Sequence, residues 1–363
     1  MVGLTGAPLI VAPPIMAGLL LLAAGGAVWA VELDAAQPVA RIAAGSCIRQ
    51  DRPQPVWEAV TAFRPDVLLL LGDNVYGDTE DMAVLRAKYA RLAAQSGFAA
   101  LRARVPIVAV WDDHDYGAND AGREYPRRRE SQQVFFDFCG VAADSPLRSQ
   151  AGIYRAMITG PPGRRVQFIC LDTRYHRSPL ATRPEHWLCG QGPYVPTDEP
   201  DATVLGAEQW AWLAAVLREP AEVRIVLSSI QVAATEHHFE HWGNFPVERA
   251  RLLRTIRDSG AAGVVIVSGD RHAGEISRIP PGPEALAYPL YDLTASSLNQ
   301  PGAGDRPPEP NQLRLGPRCH GVNFGTIEID WHAAEPALTL AVRDERGEVF
   351  HAERMVLGAL TSR

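Results

Sequence analysis

The chain contains 363 residues, of which 47% are hydrophobic and 21% are charged. This apolar content suffices for one large globular domain or two small ones, and the recurrence of apolar runs along the chain excludes a disordered protein. The net charge of −7 argues against a broad nucleic-acid-binding surface, which needs clustered Lys and Arg side chains.

The N-terminal segment differs from the rest of the chain. The first basic residue is Arg41, and residues 15–30 form an apolar run rich in Leu, Ala and Gly. We interpret residues 1–35 as a signal peptide that directs export, although the usual positively charged start is missing. A retained membrane anchor that tethers the protein, or a start codon upstream of the true one, is the alternative. Residues 36–363 are then assigned to a single domain.

Short apolar runs alternate with helical patterns through most of the remaining chain. Continuous apolar runs predict strands that are buried on both faces, as in a sheet covered by helices. The predicted strands are 39–46, 66–71, 105–111, 166–171, 223–227 and 263–267, and the predicted helices are 55–63, 81–101, 207–217 and 246–258. Residues 324–331, 337–342 and 348–356 lack helices between them and predict antiparallel strands. This alternation indicates an α/β sandwich.

Stretches rich in Pro and Gly predict loops between these elements. They are residues 159–164, 178–200, 280–287 and 301–317. Residues 123–130 carry a cluster of charges, which we interpret as a solvated surface loop; the alternative is a rim that attracts anions to an active site.

The five cysteines have two expected uses. An odd number leaves at least one thiol unpaired in an exported protein. Cys139, Cys170, Cys189 and Cys319 are the candidates that could pair with one another, and the sequence does not give the connectivity. Cys47 has a better use as a metal ligand.

Four predicted strands end in residue types that bind metals. The endings are Gly45-Ser46-Cys47, Gly72-Asp73-Asn74-Val75-Tyr76, Asp112-Asp113-His114-Asp115 and Ser268-Gly269-Asp270-Arg271-His272. Ligands of open α/β sheets bind beyond the carboxyl ends of the strands, so the four endings are expected to converge. A single Gly-Asp pair is more often a plain turn, but four such endings in one chain predict a metal site.

The residue types at these endings suit two unlike metal pockets. The first pocket offers sulfur, carboxylate, phenolate and imidazole from Cys47, Asp73, Tyr76 and His272, which suits a charge-dense, redox-capable ion such as Fe(III). The second offers the carboxylates of Asp73, Asp113 and Asp270, which suit Ca²⁺, Mg²⁺ or Mn²⁺. Asp73 occurs in both because a carboxylate can bridge. Two metals roughly 3.5–4 Å apart can clamp the attacking and leaving oxygens of a displacement at phosphorus.

The motif series GSC, LGDNVYGD, WDDHDYG and SGDRHAGE resembles the alkaline phosphatase D (PhoD-like) family of calcineurin-like metallophosphoesterases. The resemblance covers about residues 40–330. It implies a four-layer α/β/β/α sandwich with two central mixed sheets, and hydrolysis of phosphate monoesters or diesters, in some members phospholipids. It also implies Fe(III) and Ca²⁺ as cofactors, with Mn²⁺, Mg²⁺ or Zn²⁺ as substitutes.

The resemblance assigns positions and also shows departures. Cys47 stands where the wider superfamily has the first Asp of Asp-x-His, and Asp113-His114 stands in place of its Asn-His dyad. Gln231 stands where the superfamily supplies a His, so the second metal is expected to be held more weakly. Only about ten residues separate the apolar segment from the first strand, so the N-terminal β-domain of larger members is expected to be absent.

Two residues beside the predicted ligands are candidates for catalysis. His114 is expected to contact the phosphate or to protonate the leaving oxygen, because its side chain diverges from that of neighbouring Asp113. Arg271 is expected to add a second cationic contact; a plain surface arginine is the alternative.

Residues 237–241 read H-x-x-E-H, which on a helix would suggest a zinc protease. The helix-breaking residues 242–246 follow at once and argue against that reading. We expect instead a loop that lines the substrate, with a plain surface loop as the alternative. The lining residues are predicted to be Gln231, His237, His238, His241, Trp242 and Asn244. Asp172-Thr173-Arg174 also ends a strand, and either lines the site or caps a turn.

The predicted function is a metal-dependent phosphoesterase that acts on a small phosphate ester by attack of metal-bound hydroxide. One alternative is a phospholipase-type phosphodiesterase on the same scaffold. The other is a non-catalytic, exported metal-binding protein with a relic site. The sequence does not indicate an oligomeric state.

Overall fold

Two mixed β-sheets lie face to face at the centre of the chain. The computed structural model describes residues 33–183, 192–302 and 309–361. The predicted signal segment, apart from its last three residues, lies outside the described residues, and so does Cys189.

The strands run along the described chain as follows. They are β1 (Arg41–Gly45), β2 (Val67–Leu71), β3 (Ile107–Val110), β4 (Arg155–Thr159), β5 (Val166–Cys170), β6 (Ala181–Thr182), β7 (Tyr194–Val195), β8 (Val223–Leu227), β9 (Val264–Ser268), β10 (Gly274–Ile279), β11 (Leu290–Ala295), β12 (Arg314–Cys319), β13 (Asn323–Asp330), β14 (Ala337–Asp344) and β15 (Val349–Val356).

Both large sheets combine parallel and antiparallel pairs. The first has the order β15-β14-β13-β1-β2-β3, in which β1, β2 and β3 are parallel and β13 runs antiparallel to β1. The second has the order β12-β10-β11-β9-β8-β5-β4, in which β5, β8, β9 and β11 are parallel. A backbone bridge between Ser46 and Ser296 joins the carboxyl ends of β1 and β11. The two sheets therefore share one edge at which parallel strands end.

Helices cover the outer faces of the two sheets. They are α1 (Val56–Phe63), α2 (Met82–Ala93), α3 (Ser96–Arg102), α4 (Asp113–Tyr116), α5 (Arg128–Phe138), α6 (Gly206–Val216) and α7 (Pro246–Ser259). Every residue of β2, β3, β5, β8 and β9 is buried, so both faces of these strands are covered. The predicted α/β sandwich with two central mixed sheets is confirmed.

Several predicted element boundaries need correction. The predicted helix 81–101 is two helices, because α2 ends at Ala93 and α3 begins at Ser96. The predicted surface loop 123–130 ends inside α5, whose buried stripe includes Phe135 and Phe138. The predicted loop 301–317 contains the start of β12, and 178–200 contains the short pair β6 and β7.

The cysteine pairing expected from the sequence is wrong for three of the four residues. Cys139, Cys170 and Cys319 are free thiols that lie within the hydrophobic core. Their small apolar side chains serve packing. Cys47 is free as well, and it lies at the site described below.

Within the described part of the chain, no helix combines the length and the apolar character that a bilayer crossing requires.

Candidate metal centre

The predicted metal ligands meet where the carboxyl ends of β1, β2, β3 and β9 come together. Three overlapping groups of donor atoms form there, and within each group the atoms lie no more than 4.8 Å apart. The groups are Cys47, Asp73 and His272; Asp73, Asp113 and His114; and Asp73, Asp112, Asp113 and Asp270. Asp73 belongs to all three groups.

Four of these residues have a left-handed backbone, which non-glycine residues rarely adopt. The φ angles are 60° at Cys47, 49° at Asp73, 66° at Asp270 and 49° at His272. Each follows a strand directly or within a few residues, so the chain turns sharply as the strand ends. Such conformations persist only where the surrounding structure enforces them, and they cluster at functional sites.

The glycine before Asp73 permits the close approach of two strand ends. Gly72 has a φ of 99°, and a Cβ atom at this position would collide with the Cβ of Asp112. No other residue type fits this combination without moving the end of β3. The Gly-Asp motif thus brings Asp73 against Asp112.

Cys47 is fully buried at the end of β1. Its Sγ lies 3.5 Å from Oδ2 of Asp73 and 3.1 Å from Oγ of Ser296. Burial raises the pKa of the Cys47 thiol to about 12. A bound cation would favour the thiolate that ligates metals, because ligation and proton release are linked.

Asp73 has a carboxylate oxygen that nothing in the described protein satisfies. Its Oδ1 is buried without a hydrogen-bond partner. Burial, and then the negative charge of Asp113, raise the pKa of Asp73 well above its usual range. A buried carboxylate beside another one needs a cation or a proton, so this position fits a metal ion.

Tyr76 and His272 complete the side of the site that contains Cys47. The Tyr76 hydroxyl lies 2.8 Å from Nε2 of His272. The backbone N–H of His272 donates to Oγ of Ser296, which also contacts Cys47. Burial, and then the charge of Arg271, lower the pKa of His272 to about 4, so the imidazole is neutral and able to ligate.

Asp112 is a site residue that the sequence analysis did not assign. Its Oδ2 is buried without a partner, while Oδ1 accepts hydrogen bonds of 2.6 Å from Nε of Arg174 and from Oγ of Ser229. The signal in the sequence is the doubled acid at the end of β3, where the motif predicts a ligand only at Asp113. Asp112 extends the carboxylate group from three members to four.

Asp113 opens the short helix α4 and is held by backbone donors. Its two oxygens accept from the N–H groups of His114 (2.8 Å) and Asp120 (2.6 Å). Burial acts to raise the pKa of Asp113, but the charges of His114 and Arg174 outweigh burial and hold this pKa below its usual range. Its carboxylate is therefore ionised. At Asp270, burial raises the pKa to about 6, although the neighbouring Arg271 acts in the opposite direction.

Asp115 organises the turn that carries Asp73. It accepts from the backbone N–H groups of Asp73 (3.2 Å), Asn74 (3.2 Å) and Asp112 (2.6 Å). One buried carboxylate therefore ties the end of β2 to the end of β3. Sequence analysis placed Asp115 in the motif without a role.

His114 is partly exposed and lies beside the carboxylates. Its Nδ1 lies 2.7 Å from Oδ1 of Asp78, and its ring centroid lies 4.3 Å from that of Tyr76. Burial acts to lower the pKa of His114, but Asp113 and Asp78 more than offset it and raise the pKa to about 9. A donor nitrogen of His114 also lies in one group with Asp73 and Asp113.

Arg271 is already paired with acids. Its Nη2 lies 2.7 Å from Glu309, its Nη1 lies 3.8 Å from Asp270, and its guanidinium lies 4.1 Å from the ring centroid of Phe239. The side chain is largely buried, which argues against the surface alternative.

The segment around residues 237–244 lies near Arg271 and is not helical up to residue 241. The geometry of a zinc-protease helix is therefore absent. Nε2 of His237 lies 3.0 Å from Oε1 of Gln231, and His241 Nε2 lies 2.9 Å from the carbonyl oxygen of His237. Gln231 also donates to Glu275 (2.8 Å), so its amide belongs to a buried polar network. His238 is partly exposed and contacts Arg183 at 2.9 Å.

Two of the predicted lining residues support this segment from within. Trp242 is fully buried, and its indole donates to Oγ of Ser228 at 3.0 Å. Asn244 is buried and accepts from the backbone N–H of His241 at 2.8 Å. These contacts place both side chains beneath the loop, because the loop's backbone needs internal hydrogen bonds where it leaves solvent.

A buried ion network connects the site to this segment. The Arg174 guanidinium pairs with Asp112 and, at 2.6 Å, with Glu240, and Arg177 pairs with Glu240 at 2.9 Å. All four side chains are fully buried. Asp172 accepts from the backbone N–H of Arg174 at 2.9 Å, so it caps the turn after β5.

Comparison with known proteins decides the family. The profile described as PhoD-like phosphatase matches residues 42–349, which is most of the chain. The chain belongs to the PhoD-like phosphatase family. The resemblance predicted from the four strand endings is confirmed.

Among curated relatives, this PhoD-like chain is 24% identical over 242 residues to alkaline phosphatase D of Bacillus subtilis (strain 168). The match covers 60% of this chain and 40% of the relative. The chain therefore spans about two fifths of the length of the curated relative that it matches.

Two solved structures share the fold of this PhoD-like chain. A structure of PhoD superposes with a TM-score of 0.68 at 19% identity, over 90% of this chain and 70% of the other. A purple acid phosphatase from yellow lupin (Lupinus luteus) seeds gives a TM-score of 0.60 at 12% identity, over 89% of this chain and 55% of the other. Both likenesses support the architecture with two central mixed sheets.

Proposed function

We propose that this PhoD-like protein is a metal-dependent phosphoesterase that hydrolyses small phosphate monoesters, diesters or both. The observation that carries the proposal is the buried group of Asp73, Asp112, Asp113 and Asp270, in which oxygens of Asp73 and Asp112 lack partners. Burying four carboxylates within 4.8 Å of one another is strongly unfavourable without cations. Family membership supports the phosphate ester as substrate.

The two donor sets fit two different metals. Cys47, Tyr76 and His272, with Asp73 between the two sides, would hold Fe(III), and the carboxylates would hold Ca²⁺. Mn²⁺, Mg²⁺ or Zn²⁺ are the substitutes to test. When bound, such metals neutralise charge on the phosphoryl oxygens and lower the pKa of water to near neutrality.

The side chains around the metal pocket supply the remaining chemistry. His114 is held by Asp78, so a ring N–H can be directed at the leaving oxygen of an ester. Arg271 is neutralised by Glu309 and lies beside Asp270. We therefore assign Arg271 to positioning Asp270 in place of the direct phosphate contact predicted from the sequence.

Export and domain organisation belong to the same proposal. Residues 1–35 would direct the protein out of the cytoplasm, and residues 36–363 would form one catalytic domain. The uncharged apolar run supports this assignment. A fusion of residues 1–35 to a reporter that is active only outside the cytoplasm tests it, and a reporter that stays inside the cell contradicts it.

The decisive experiment compares a phosphate monoester with a diester in the presence of iron and Ca²⁺. Hydrolysis of either ester that is lost in Asp113→Ala, but retained in the exposed control Asp201→Ala, supports the phosphoesterase. The faster ester identifies the substrate class, and preference for a diester phospholipid supports the phospholipase-type alternative. Metal binding without turnover of any ester would establish the non-catalytic alternative.

A further inference from the structure

A cavity of about 420 Å³ adjoins the metal centre on the side of helix α2. Its walls include Arg49, Tyr76, Val84, Ala87, Lys88 and Arg91, and we call it the α2 pocket. The volume lies in the range of small-molecule sites. The metal-binding residues do not account for the pocket, since Tyr76 is the only proposed ligand in its wall.

One complete stripe of α2 faces this cavity. Val84, Ala87, Lys88 and Arg91 have the spacing i, i+3, i+4 and i+7, which places them on one side of a helix. The core is contacted by another stripe, which includes Leu85, Tyr89 and Leu92. Val84, the first residue of the stripe that faces the α2 pocket, is 39% exposed, so packing against the core does not explain its apolar side chain.

The three cationic side chains of the α2 pocket differ in how far other protein groups already bind them. Lys88 donates to the carbonyl oxygens of Tyr76 (2.8 Å) and Gly77 (2.7 Å), so its ammonium holds the backbone. Arg49 pairs with Asp51 and lies 4.9 Å from the ring centroid of Tyr76. Arg91 is exposed and makes no hydrogen bond or ion pair within the part of the chain that the structure describes. Arg91 therefore has hydrogen-bonding capacity for an incoming anion, which would compete with Asp51, a wall residue on which the charge of Arg91 already acts.

The position of the α2 pocket indicates which part of a substrate would enter it. Tyr76 is shared, because its hydroxyl contacts His272 and the residue also belongs to the wall of the cavity. Asp78, which holds His114, also belongs to the wall. If His114 faces the leaving oxygen, the group attached to that oxygen extends from the metals into the α2 pocket.

We propose that the α2 pocket is a leaving-group subsite for phosphate esters that carry a second anionic group, a carboxylate or a second phosphate, beyond a short apolar portion. The inference rests on the proposed phosphoesterase function. Val84 and Ala87 would contact the apolar portion, and Arg91, assisted by Arg49, would bind the second anion as an ion pair.

The test uses three esters that differ only at the distal end of the leaving group: phenyl phosphate, 3-carboxyphenyl phosphate and 1,3-phenylene bisphosphate. The kcat/KM of at least one of the two esters with an anionic tail is expected to exceed that of phenyl phosphate by about fivefold to tenfold, since the new contact is a partly exposed charged hydrogen bond. The better of the two identifies the anion. In Arg91→Glu, the ratio of kcat/KM for this better ester to kcat/KM for phenyl phosphate should fall below one.

A matched control lies on the same helix. Arg86→Glu makes the same charge change at an exposed arginine that lies 4.0 Å from Asp137 on α5. The ratio should be unchanged in this variant. Equal kcat/KM values for all three esters in the wild-type protein, or an equal change in both variants, would overturn the subsite.

A binding measurement separates this inference from the proposed function. Isothermal titration of the metal-loaded protein with phenylphosphonate and 3-carboxyphenylphosphonate needs no turnover. If no ester is hydrolysed, the phosphoesterase proposal fails. The subsite is still supported if the Kd for the carboxylated phosphonate is fivefold lower than that for phenylphosphonate, and if Arg91→Glu abolishes this difference. Equal Kd values for both phosphonates overturn the subsite even if the esters are hydrolysed.

Discussion

At the scale of single residues, Asp113 and His114 are neighbours in the chain with different surroundings. Asp113 is fixed by backbone donors and lies among carboxylates, whereas His114 is fixed by Asp78 and contacts the Tyr76 ring. A nitrogen of His114 lies within 4.8 Å of a carboxylate oxygen of Asp113, but different partners hold the two side chains, so one residue can serve the metals while the other serves the substrate. This division leads to contrasting predictions.

Asp113→Ala should remove one metal together with activity. The variant deletes one of the carboxylates that concentrate negative charge in the pocket. Elemental analysis of the purified variant should show about half the metal content of the wild-type protein. An unchanged metal content would contradict the assignment of Asp113 as a ligand.

His114→Ala should keep both metals and lower kcat by about 10²–10⁴, because it removes a positioned proton donor. The loss should be smallest for nitrophenyl esters, whose leaving group needs no proton. His332→Ala, at an exposed histidine, is the matched control. Metal loss in His114→Ala would instead make His114 a ligand, which its distance from Asp73 and Asp113 permits.

Cys47→Ala should lower the iron content of the purified protein severalfold. A thiolate is the donor that most distinguishes the Cys47 side of the site from the all-carboxylate side. Tyr76 bound to Fe(III) should also give a visible charge-transfer band, which this variant should lose with the iron. Full occupancy by zinc without iron in the wild-type protein would contradict the choice of metal, though not the presence of two metals.

At the scale of elements, turn geometry shapes the site as much as the ligands do. Gly72→Ala should destabilise the protein by about 3 kcal/mol, since it combines a positive φ with a collision against Asp112. Gly163→Ala is the matched control, because Gly163 has a φ of 88° with open space around it. Urea unfolding should show that this control loses only about 1 kcal/mol of unfolding free energy. Equal losses of unfolding free energy in the two variants would show that the surrounding structure shifts enough to remove the collision with Asp112.

Elements with continuous apolar runs were predictable, whereas β10, whose sequence two charged residues interrupt, was not. The strands that precede Cys47, Asp73 and Asp270 are continuous apolar runs, which indicate a sheet covered on both faces. β10 escaped prediction because it carries Glu275 and Arg278. Glu275 is buried because partners distant in the chain satisfy it: Arg314, 39 residues later, pairs with it at 2.5 Å, and Gln231 donates to it at 2.8 Å. Local pattern cannot reveal such a distant partner.

The start of α5 was misread for a related reason. Its first turn carries Arg128, Arg129 and Glu130, which suggest a solvated loop. The apolar stripe that buries the helix appears only from Val134 onwards. At the site itself, the four endings were predictable, whereas the role of Asp112 depends on Arg174 from the other sheet.

At the scale of the whole molecule, buried charges connect the two sheets. Arg174 follows β5 of one sheet, and its partner Asp112 follows β3 of the other. The same guanidinium reaches Glu240 in the segment beside Arg271. Movement of either sheet edge would therefore separate charges that have no access to water.

Arg174→Met should destabilise the protein by about 3–5 kcal/mol, because it leaves Asp112 and Glu240 buried without their shared partner. Urea unfolding measures the change. Arg218→Met, at an exposed arginine that contacts only the backbone of α6 among the described residues, should change stability by less than about 0.5 kcal/mol. A loss below about 1 kcal/mol in Arg174→Met would show that water or a relaxed geometry compensates the two acids.

The left-handed backbone at four of the proposed metal ligands lowers the stability of the fold, while their side chains serve the proposed chemistry. These residues are Cys47, Asp73, Asp270 and His272. At each position glycine would relieve a conformational cost of about 1 kcal/mol, and asparagine part of it. A library of variants selected for thermal resistance alone should therefore lose these four side chains early. A copy of the chain freed from selection for chemistry would drift in the same direction, so under the proposed function the four donors are kept at a cost in stability.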